Sequence, residues 1–431
     1  MPSNKLSDIF GISTFGESHG PAIGVLIDSP LPNIDFPSEE LLQALQRRNP
    51  QLSFTTARNE PDQIEILSGV MDGKTTGMPL CLIVRNLDAR STDYEALKDV
   101  FRPGHADFSW FQKYGIYDYR GGGRASGRET LARIIAADHV KSVLGDIDIH
   151  ITCTQIGELK AMSQKGDAAN PWHWPCSQTF PKLMSYLNEI QKSGDSVGGI
   201  LRVSAHNVPP GLGDPVYEKL SANIAKAMFS IGSIRGIHFG DGLLLAEQTG
   251  SQVNDQFING KLASNQHGGI LGGVSTGQDI SYDLIIRPVS SIRIPQQSLD
   301  RPGQSRQISI QGRHDVCHIP RIIPVIEAML KLCLADAIQY QKLVSAQSQS
   351  LAGFRESLDK LDAELIQVLA HRAEIVKQVK AFKTKQGLPP QDPEREKNIQ
   401  DQCSALAAKL GLDPHLAKEI IKLSIRISNL C

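Results

Sequence analysis

The sequence has no run of about 18 apolar residues, so it predicts no transmembrane helix. The first residues, Met1 to Asp8, lack the apolar core of a secretory signal peptide. Cysteine is scarce: the seven residues are scattered, odd in number and form no C-x-x-C pair. This usage indicates reduced thiols in a cytoplasmic protein and argues against a structural metal site.

Net charge is nearly absent, at −1 for 431 residues. A protein without a broad positive field is not expected to bind nucleic acid. Nucleotide motifs are missing as well: no G-x-x-x-x-G-K-[ST] occurs, and Gly121-x-Gly123 is followed by Ser126 where the dinucleotide fingerprint requires glycine. A P-loop and a Rossmann dehydrogenase are therefore disfavoured, and local arginine clusters must meet any anionic ligand.

The chain is long enough for two or three domains, and its sequence pattern changes near residue 345. Before that point, turn signals separate short apolar runs that predict strands at 23–27, 80–84 and 200–203. Helical patterns lie at 38–47, 129–145, 215–229 and 320–342. We predict an α+β sandwich over residues 1–342, a Ser/Gln linker at 343–350 and a separate domain at 351–431.

The sequence pattern of residues 351–431 predicts helices only. Apolar residues recur at steps of three and four and predict one helix of about 35 residues, whose stripe contains Leu351, Phe354, Leu358, Leu361, Leu365, Val368, Ile375, Val379 and Phe382. Gly387 ends this helix, while Asp392-Pro393 and Asp413-Pro414 each begin another. Because so long a helix cannot bury its stripe in so small a monomer, we expect an intertwined dimer of three-helix domains.

The stretch from Arg120 to Thr130 is the most informative part of the chain. Four glycines and three arginines precede a helical pattern, and Ser126 and Glu129 have the spacing of a capping box. A helix N-terminus there offers free N–H groups, and guanidiniums add bidentate donors for phosphate or carboxylate. The alternative interpretation is a glycine-rich surface turn with solvated arginines.

Histidines lie in two further turns, His19 in Phe-Gly-Glu-Ser-His-Gly and His105 in Arg-Pro-Gly-His-Ala-Asp. A single loop histidine is usually only a polar surface group. Two of them flanked by glycine, in a chain with many loop arginines, favour proton transfer. A second glycine-rich loop spans 265–273, followed by Arg287-Pro-Val-Ser-Ser and Gly312-Arg-His-Asp.

Together with Tyr-Arg-Gly-Gly-Gly-Arg at 119–124, these segments resemble, in order, the signatures of chorismate synthase over about residues 5–340. The resemblance implies a lyase that removes phosphate and a ring hydrogen from 5-enolpyruvylshikimate 3-phosphate to give chorismate, with reduced FMN. It implies a β-α-β sandwich in a homotetramer. It leaves open whether the chain reduces its own flavin with NADPH or needs an external flavin reductase.

The resemblance also implies roles for individual residues. His19 is expected near the departing phosphate, His105 near the flavin ring as a proton partner, and Asp315 where it helps the flavin take the ring proton. Arg48 and Arg58 are expected to meet the substrate anions. The residues expected to hold FMN are Arg124, Ala125, Ser126, Gly232, Ser233, Gly272, Arg287, Pro288, Val289, Ser290, Ser291 and Arg313.

On the long tail helix, Arg372 and Lys383 are 11 residues apart and share a face, about 16 Å from each other. Arg355 lies about 42 Å from Lys383 along the axis, so only an antiparallel partner helix could bring it to that site. Asp392 and Glu396 share a face of the next helix. The plain alternative is a set of solvated charges on an amphipathic helix.

The tail resembles the all-α type of chorismate mutase. That resemblance implies rearrangement of chorismate to prephenate, which needs conformational trapping and electrostatic stabilisation but no nucleophile. It places Arg355 of the partner, Arg372 and Lys383 on the substrate, Asp392 and Glu396 at its hydroxyl, and Ser428 at the active-site serine position. A gapped alignment pairs Ser424 and Ser428 with two polar positions instead. The tail is thus either a mutase or a regulatory domain that binds aromatic-pathway compounds.

Overall fold

The computed structural model describes residues 4–48, 52, 54–55, 62–87, 97–161, 170–310, 314–347, 351–389, 392–409 and 412–430. The chain divides into two compact units, Met1–Leu343 and Val344–Cys431. The described part contains no helix long and apolar enough to cross a membrane.

Short strands dominate the first unit. In chain order they are β1 (Lys5–Leu6), β2 (Ile12–Gly16), β3 (Ala22–Ile27), β4 (Ile64–Ser68), β5 (Val70–Met71), β6 (Lys74–Thr75), β7 (Leu80–Arg85), β8 (Asp148–Ile156), β9 (Leu159–Lys160), β10 (Gly199–His206), β11 (Ile234–Phe239), β12 (Phe257–Ile258), β13 (Lys261–Leu262), β14 (Ile270–Leu271), β15 (Val274–Ser275), β16 (Ile280–Ile286), β17 (Gln296–Leu299) and β18 (Ser305–Ile308).

The α-helices occur in both units. In chain order they are α1 (Glu39–Arg48), α2 (Asp107–Tyr114), α3 (Thr130–Asp138), α4 (Lys141–Leu144), α5 (Phe180–Ser193), α6 (Leu220–Phe229), α7 (Gly250–Val253), α8 (Ile319–Gln347), α9 (Leu351–Lys385), α10 (Pro393–Lys409) and α11 (Pro414–Leu430).

Two five-stranded antiparallel sheets organise the first unit. Their strand orders are β1-β2-β3-β7-β4 and β11-β16-β10-β8-β9. Strand β16 alternates regularly, so its buried residues all lie on one face: Ile280, Tyr282, Leu284 and Ile286. One buried cluster joins both sheets to α3, α6 and α8, and α3 packs on β3. The predicted α+β fold is confirmed.

The predicted helices differ from the observed ones in three places. The pattern at 129–145 is broken between α3 and α4, where the Nδ1 atom of His139 bonds the carbonyl of Ala136. Helix α6 begins five residues later than predicted because Val216 has a φ of 70°, which a helix cannot contain. Helix α8 runs to Gln347, so residues 343–347 of the predicted linker are helical and 348–350 lie outside the described residues.

The second unit consists of α9, α10 and α11, and its helix boundaries follow the sequence signals. Gly387 has a φ of 65°, and the N–H of Leu388 donates to the carbonyl of Lys383 at 2.9 Å. The carboxylates of Asp392 and Asp413 each accept a backbone N–H of the following turn, at 3.0 and 2.7 Å. The expected 35-residue helix is present as α9.

Candidate active site

The glycine-rich loop has a backbone that only glycine adopts readily. Gly121, Gly122 and Gly123 have φ values of 71°, 87° and 52°. Two 3₁₀ turns follow, Gly123–Ala125 and Gly127–Glu129, before α3 begins. At Gly121 and Gly123 a side chain would also meet His19 and Asp118, at 2.3 and 3.0 Å from the Cβ position.

The predicted capping box is only half present. The Ser126 hydroxyl accepts the N–H of Arg128 at 3.4 Å, as an N-cap should. The Glu129 carboxylate does not return to Ser126, however; it accepts bonds from Thr14 at 2.9 Å and Arg133 at 2.9 Å. Glu129 fails to close the box because those donors bind it against β2.

His19 packs directly on the glycine-rich loop. A Cβ atom built on Gly121 would lie 2.3 Å from the Cε1 atom of His19 and 2.6 Å from its Nδ1 atom. The Ser18 hydroxyl lies 3.1 Å from the same Nδ1. The structure therefore joins the segments 15–20 and 119–124, which are separated by about a hundred residues in the sequence.

Arg102 connects this loop to the second histidine turn. Its Nη2 atom lies 3.7 Å from the position of a Cβ on Gly122. The guanidinium forms a bidentate pair with Asp107, at 2.7 and 2.8 Å, and both side chains are buried. A fully paired buried guanidinium acts mainly as a rigid support, because its charge is already compensated.

His105 lies between a carbonyl and a hydroxyl. Its Nδ1 atom is 3.0 Å from the Pro103 carbonyl oxygen and its Nε2 atom is 3.0 Å from the Ser291 hydroxyl. Burial, followed by the charge of Arg102, lowers the pKa of His105 from 6.5 to about 4. The ring is consequently neutral at physiological pH and able to accept a proton.

Arg287 ties the segment 287–291 to the same turn. Its Nη1 atom donates to the Gly104 carbonyl at 3.0 Å and to the Ser290 hydroxyl, and its backbone N–H donates to Ser233 at 3.0 Å. Its Nε atom is buried and lacks a hydrogen-bond partner among the described residues. Burial, followed by the nearby Arg235, lowers the pKa of Arg287.

Pro288 and Val289 are fixed through their backbones. Gly198 packs so closely that a Cβ there would lie 2.9 Å from the Pro288 nitrogen, and the Val289 carbonyl accepts the Ser196 hydroxyl at 2.6 Å. We therefore expect Pro288 and Val289 to contribute to a cofactor site through the position of their backbone atoms.

A small cavity links Ser291 to the predicted catalytic Asp315. The cavity is about 40 Å³, and its lining also includes Asp195 and His314. The Asp315 carboxylate lies 3.6 Å from the guanidinium of Arg321. Arg313, which sequence reasoning assigns to the cofactor, lies outside the described residues.

His318 was missed by sequence reasoning. It directly precedes α8, and its Nδ1 atom is buried without a hydrogen-bond partner in the part of the chain that the structure describes. Burial lowers its pKa to about 4, with Arg287 and Arg321 acting in the same direction and Asp315 opposing them. Its position three residues after Asp315 was the only signal in the sequence.

A second cationic cluster surrounds the turn before α3. The Asp62 carboxylate lies 2.5 Å from Arg128 and 3.7 Å from Arg48, and all three side chains are largely buried. Arg48 also donates to the Gly127 carbonyl at 3.0 Å. Arg128 belongs to the arginine-rich stretch that the sequence singled out, whereas Asp62 was not a predicted site residue. Arg58 lies outside the described residues.

Arg124 lies on the other side of the same turn. Its Nη2 atom donates to Asn4 at 3.0 Å and to Thr14 at 2.8 Å, and Glu129 lies 3.6 Å away. Its Nη1 atom is buried without a partner among the described residues. Ala125 is in the adjoining 3₁₀ turn, where its N–H donates to Gly122 at 2.8 Å.

The second glycine-rich loop packs on two neighbouring segments of this unit. Gly268 and Gly269 lie against Gly240 and Asp279, and Gly272 has open space at its Cβ position. Gly232 adjoins Ser233, which bonds Arg287, and it too has open space at its Cβ position.

A larger cavity, of about 210 Å³, lies between α1, α3 and α8. Most of its charged residues pair with one another: Glu40 bonds Lys141, and Glu327 bonds both Arg47 at 3.0 Å and Lys331 at 2.6 Å. None of the predicted site residues lines it. The predicted site residues that the structure describes therefore lie away from the larger cavity.

In the second unit, Arg372 donates from Nη1 to the Ser424 carbonyl at 2.8 Å, which links α9 to α11. Lys383 and Glu396 are half-buried, whereas Arg355 and Asp392 are exposed. One Asp392 oxygen already caps α10 through the N–H of Arg395. The side chain of Ser428 lies outside the described part of the chain.

The first unit thus presents two histidines, paired hydroxyls and incompletely bonded arginines around a glycine-rich loop. Such an arrangement is the kind that enzymes use to bind anionic small molecules and to transfer protons. The comparisons with known proteins agree. Residues 10–339 match the family model of chorismate synthase, and residues 354–429 match that of chorismate mutase type II.

The relatives extend over nearly the full first unit. The chorismate synthase of Nitrosospira multiformis is 44% identical over 342 residues, 78% of this chain and 87% of that protein. That of Roseiflexus castenholzii is 43% identical over 353 residues, 80% of this chain and 99% of that protein. A crystal structure of chorismate synthase is similar with a TM-score of 0.59 and 28% identity, covering 78% of this chain and 93% of that one.

The chain belongs to the chorismate synthase family. The following match to chorismate mutase type II supports a bifunctional enzyme of the shikimate pathway, in aromatic amino acid biosynthesis. Both resemblances predicted from the sequence are confirmed.

Proposed function

We propose that the first unit converts 5-enolpyruvylshikimate 3-phosphate to chorismate and phosphate, with reduced FMN as cofactor. The observation that carries this proposal is the set of contacts from His19 through Gly121, Gly122 and Arg102 to His105 and Ser291. The two histidines are thereby positioned around one loop suited to anions. The reaction breaks the bond to the phosphate oxygen and one ring C–H bond, with no net oxidation.

The residues present fit FMN. Two guanidinium nitrogens, Arg124 Nη1 and Arg287 Nε, are buried without hydrogen-bond partners in the described residues, so each has a donor free for a phosphate or flavin oxygen. Each of the two glycine-rich loops has open space beside one glycine, since a Cβ on Gly127 or on Gly272 would meet nothing within 4 Å. When bound, reduced flavin supplies electron density to the substrate as phosphate leaves.

The predicted holders of FMN divide into four groups. Arg124, Ala125 and Ser126 form the first turn after the glycines, and Gly232 and Ser233 adjoin Arg287. Segment 287–291 is held on the His105 turn. Gly272 and Arg313 are assigned to the cofactor by resemblance alone.

The chain's own groups account for the acid–base steps. His19 stays against Gly121, where it can donate a hydrogen bond to the departing phosphate. Arg48 and Arg58 are assigned to the substrate anions, and Asp62 lowers the net positive charge near Arg48. His105 is kept neutral by burial and by Arg102, so that it can exchange a proton. Asp315 assists removal of the ring proton.

The test is release of phosphate and formation of chorismate by the full chain with FMN and dithionite under anaerobic conditions. His105→Ala and His19→Ala should each lower the rate by about 100-fold or more, the range for loss of a general acid–base. His150→Ala, which alters an exposed histidine on β8, is the matched control and should keep the rate. Unchanged rates in both site variants would refute the assignment.

We propose that the second unit rearranges chorismate to prephenate. Arg372 and Lys383 supply the positive charge that faces the anionic substrate, and Arg355 of a partner chain completes this cationic site. Asp392, Glu396 and Ser428 contact the rest of the substrate. This proposal is supported by the family match and by the half-buried positions of Lys383 and Glu396. The competing function is regulation: if the chain binds chorismate but forms no prephenate, the tail is a regulatory domain.

A paired second copy is supported by the apolar side chains that α9 leaves exposed. Leu358, Leu365, Val368, Ile375, Val379 and Phe382 are between 46% and 62% exposed in the single chain. Burying such a stripe against an antiparallel copy would remove a large apolar area from water. It would also bring Arg355 of one chain to Lys383 of the other.

The assembly proposed for the whole enzyme is a homotetramer, built through the first unit and joined by tail dimers. Light scattering on the full chain checks the mass. We also propose a cytoplasmic location, which the six free cysteines among the described residues support. Whether NADPH reduces FMN on this chain or on an external flavin reductase is decided by flavin bleaching with NADPH and the purified chain alone.

A further inference from the structure

The tautomer of His105 follows from its two neighbours. The Pro103 oxygen belongs to a carbonyl and can only accept, so the Nδ1 atom, 3.0 Å away, must donate. A neutral imidazole has a single ring proton, which leaves Nε2 as an acceptor. The Ser291 hydroxyl, 3.0 Å from Nε2, must then be the donor.

The neighbouring serine cannot do the same work. The Ser290 hydroxyl donates to the Gly104 carbonyl at 2.9 Å and accepts from Arg287. It is thus committed to supporting the turn that contains His105 and makes no hydrogen bond to the ring itself. Two adjacent hydroxyls therefore have distinct geometries, one directed to the backbone and one to the imidazole.

The charges around His105 favour its neutral form. Arg102 and Arg287 both disfavour a second positive charge, and burial acts in the same direction. Asp107 favours the imidazolium, but both of its oxygens are bound to Arg102. The hydrogen bond from Ser291 therefore acts on a ring that already lacks its second proton.

We infer that Ser291 is a positioning residue, which acts together with the Pro103 carbonyl to hold His105 as the Nδ1–H tautomer with Nε2 as its accepting atom. The serine oxygen keeps its lone pairs for the cavity that it shares with Asp315. This role goes beyond the cofactor contact assigned to Ser291 by resemblance. The inference rests on the proposed function only for the reaction in which His105 takes part.

The test is magic-angle-spinning NMR of the full chain with ¹⁵N-labelled histidine rings, without flavin, with His105→Gln used to assign the His105 signals. Wild type should show a protonated, pyrrole-like Nδ1 and an unprotonated, pyridine-like Nε2 at pH 7. The opposite tautomer would overturn the inference.

Two variants test the serine itself. Ser291→Ala removes the donor to Nε2, so the neutral ring loses a stabilising contact and the pKa of His105 should rise from about 4, while the Pro103 carbonyl keeps the proton on Nδ1. Ser291→Thr retains a hydroxyl and should restore the low pKa. Ser290→Ala removes the adjacent hydroxyl and should leave the pKa of His105 as in wild type. An unchanged pKa in Ser291→Ala would refute the role.

The same variants separate this inference from the proposed activity. If the tautomer behaves as expected but chorismate is not formed, the positioning role stands and the function is wrong. If activity is present, Ser291→Ala should lower kcat more than it raises KM and should move the acid limb of the kcat profile to higher pH. If Ser291 only held the cofactor, Ser291→Ala would change cofactor affinity and would leave the acid limb of the kcat profile unchanged.

Discussion

The imidazole of His19 lies against the α-carbon of Gly121, with 2.3 Å between its Cε1 atom and the place where a β-carbon would be. A residue with any side chain at 121 must displace this histidine. Gly121 therefore has two requirements at once, a φ of 71° and the absence of a β-carbon. This contact determines where the proposed phosphate-facing histidine lies.

Gly121→Ala should displace His19 and lower chorismate formation by about 100-fold, because a shift of about 1 Å at a reacting group can cost that much. The measurement is the steady-state rate with reduced FMN. The matched control is Gly73→Ala, which has a φ of 75° and open space at its Cβ position. Gly73→Ala introduces the same kind of backbone strain as Gly121→Ala but creates no clash with a neighbouring side chain. Equal rates in the two variants would contradict the role of the contact.

Ser126→Pro should weaken FMN binding more than Ser126→Ala does. Alanine removes only the oxygen that caps the N–H of Arg128, a loss of about tenfold in affinity for one hydrogen bond. Proline also removes the N–H that donates to Gly123, and it disfavours the helical turn at Ala125. Fluorescence titration measures both dissociation constants. If flavin affinity survives in the proline variant, this loop does not hold the phosphate.

The first unit should lose stability as the pH falls from 6.5 towards 4. His139 is fully buried, and burial lowers its pKa from 6.5 to about 4. Within that window the unfolded chain binds a proton that the folded chain does not, so falling pH favours unfolding. At pH 5 this one residue should cost on the order of 2 kcal/mol relative to neutral pH.

Urea unfolding followed by tryptophan fluorescence measures this effect in the correct unit, because Trp110, Trp172 and Trp174 all lie before residue 343. His139→Gln should flatten the decline in midpoint between pH 7 and pH 5. His150→Gln, at an exposed position, should leave the decline as in wild type. A slope unchanged by His139→Gln would show that the buried ring is not responsible.

The shared mutase site predicts complementation between inactive full-length variants. Arg355 and Lys383 lie 28 residues apart on one continuous helix, so they cannot meet in one chain. When Arg355→Ala and Lys383→Ala chains are mixed, one of the two sites of each heterodimer has both wild-type residues. Prephenate formation should then return to about half of its wild-type rate per heterodimer.

Subunit exchange is verified by co-purification of two differently tagged chains. A mixture of Arg355→Ala with Arg355→Lys chains is the control, because neither of its sites contains both wild-type residues. No recovery despite proven exchange would show that the site lies within one chain.

Local signals in the sequence were sufficient for the helical tail. Asp392, Asp413 and Gly387 act within one turn of their own helix, so caps, breaks and the length of α9 could be predicted. The same reasoning failed for Glu129, because its partners come from β2 and α3 rather than from Ser126. Capping rules that depend on neighbouring residues cannot include hydrogen-bond donors from distant segments of the chain.

The sequence by itself determined the family, the α+β and all-α division and the residue types of the candidate site. Motifs and periodicities are properties of short segments and survive without coordinates. Only the tertiary structure decided that Arg102 faces Gly122, that Asp62 pairs with Arg48 and Arg128, and that Ser291 rather than Ser290 reaches His105. Those relationships depend on angstrom-scale distances between segments, which the packing of two sheets and their helices sets.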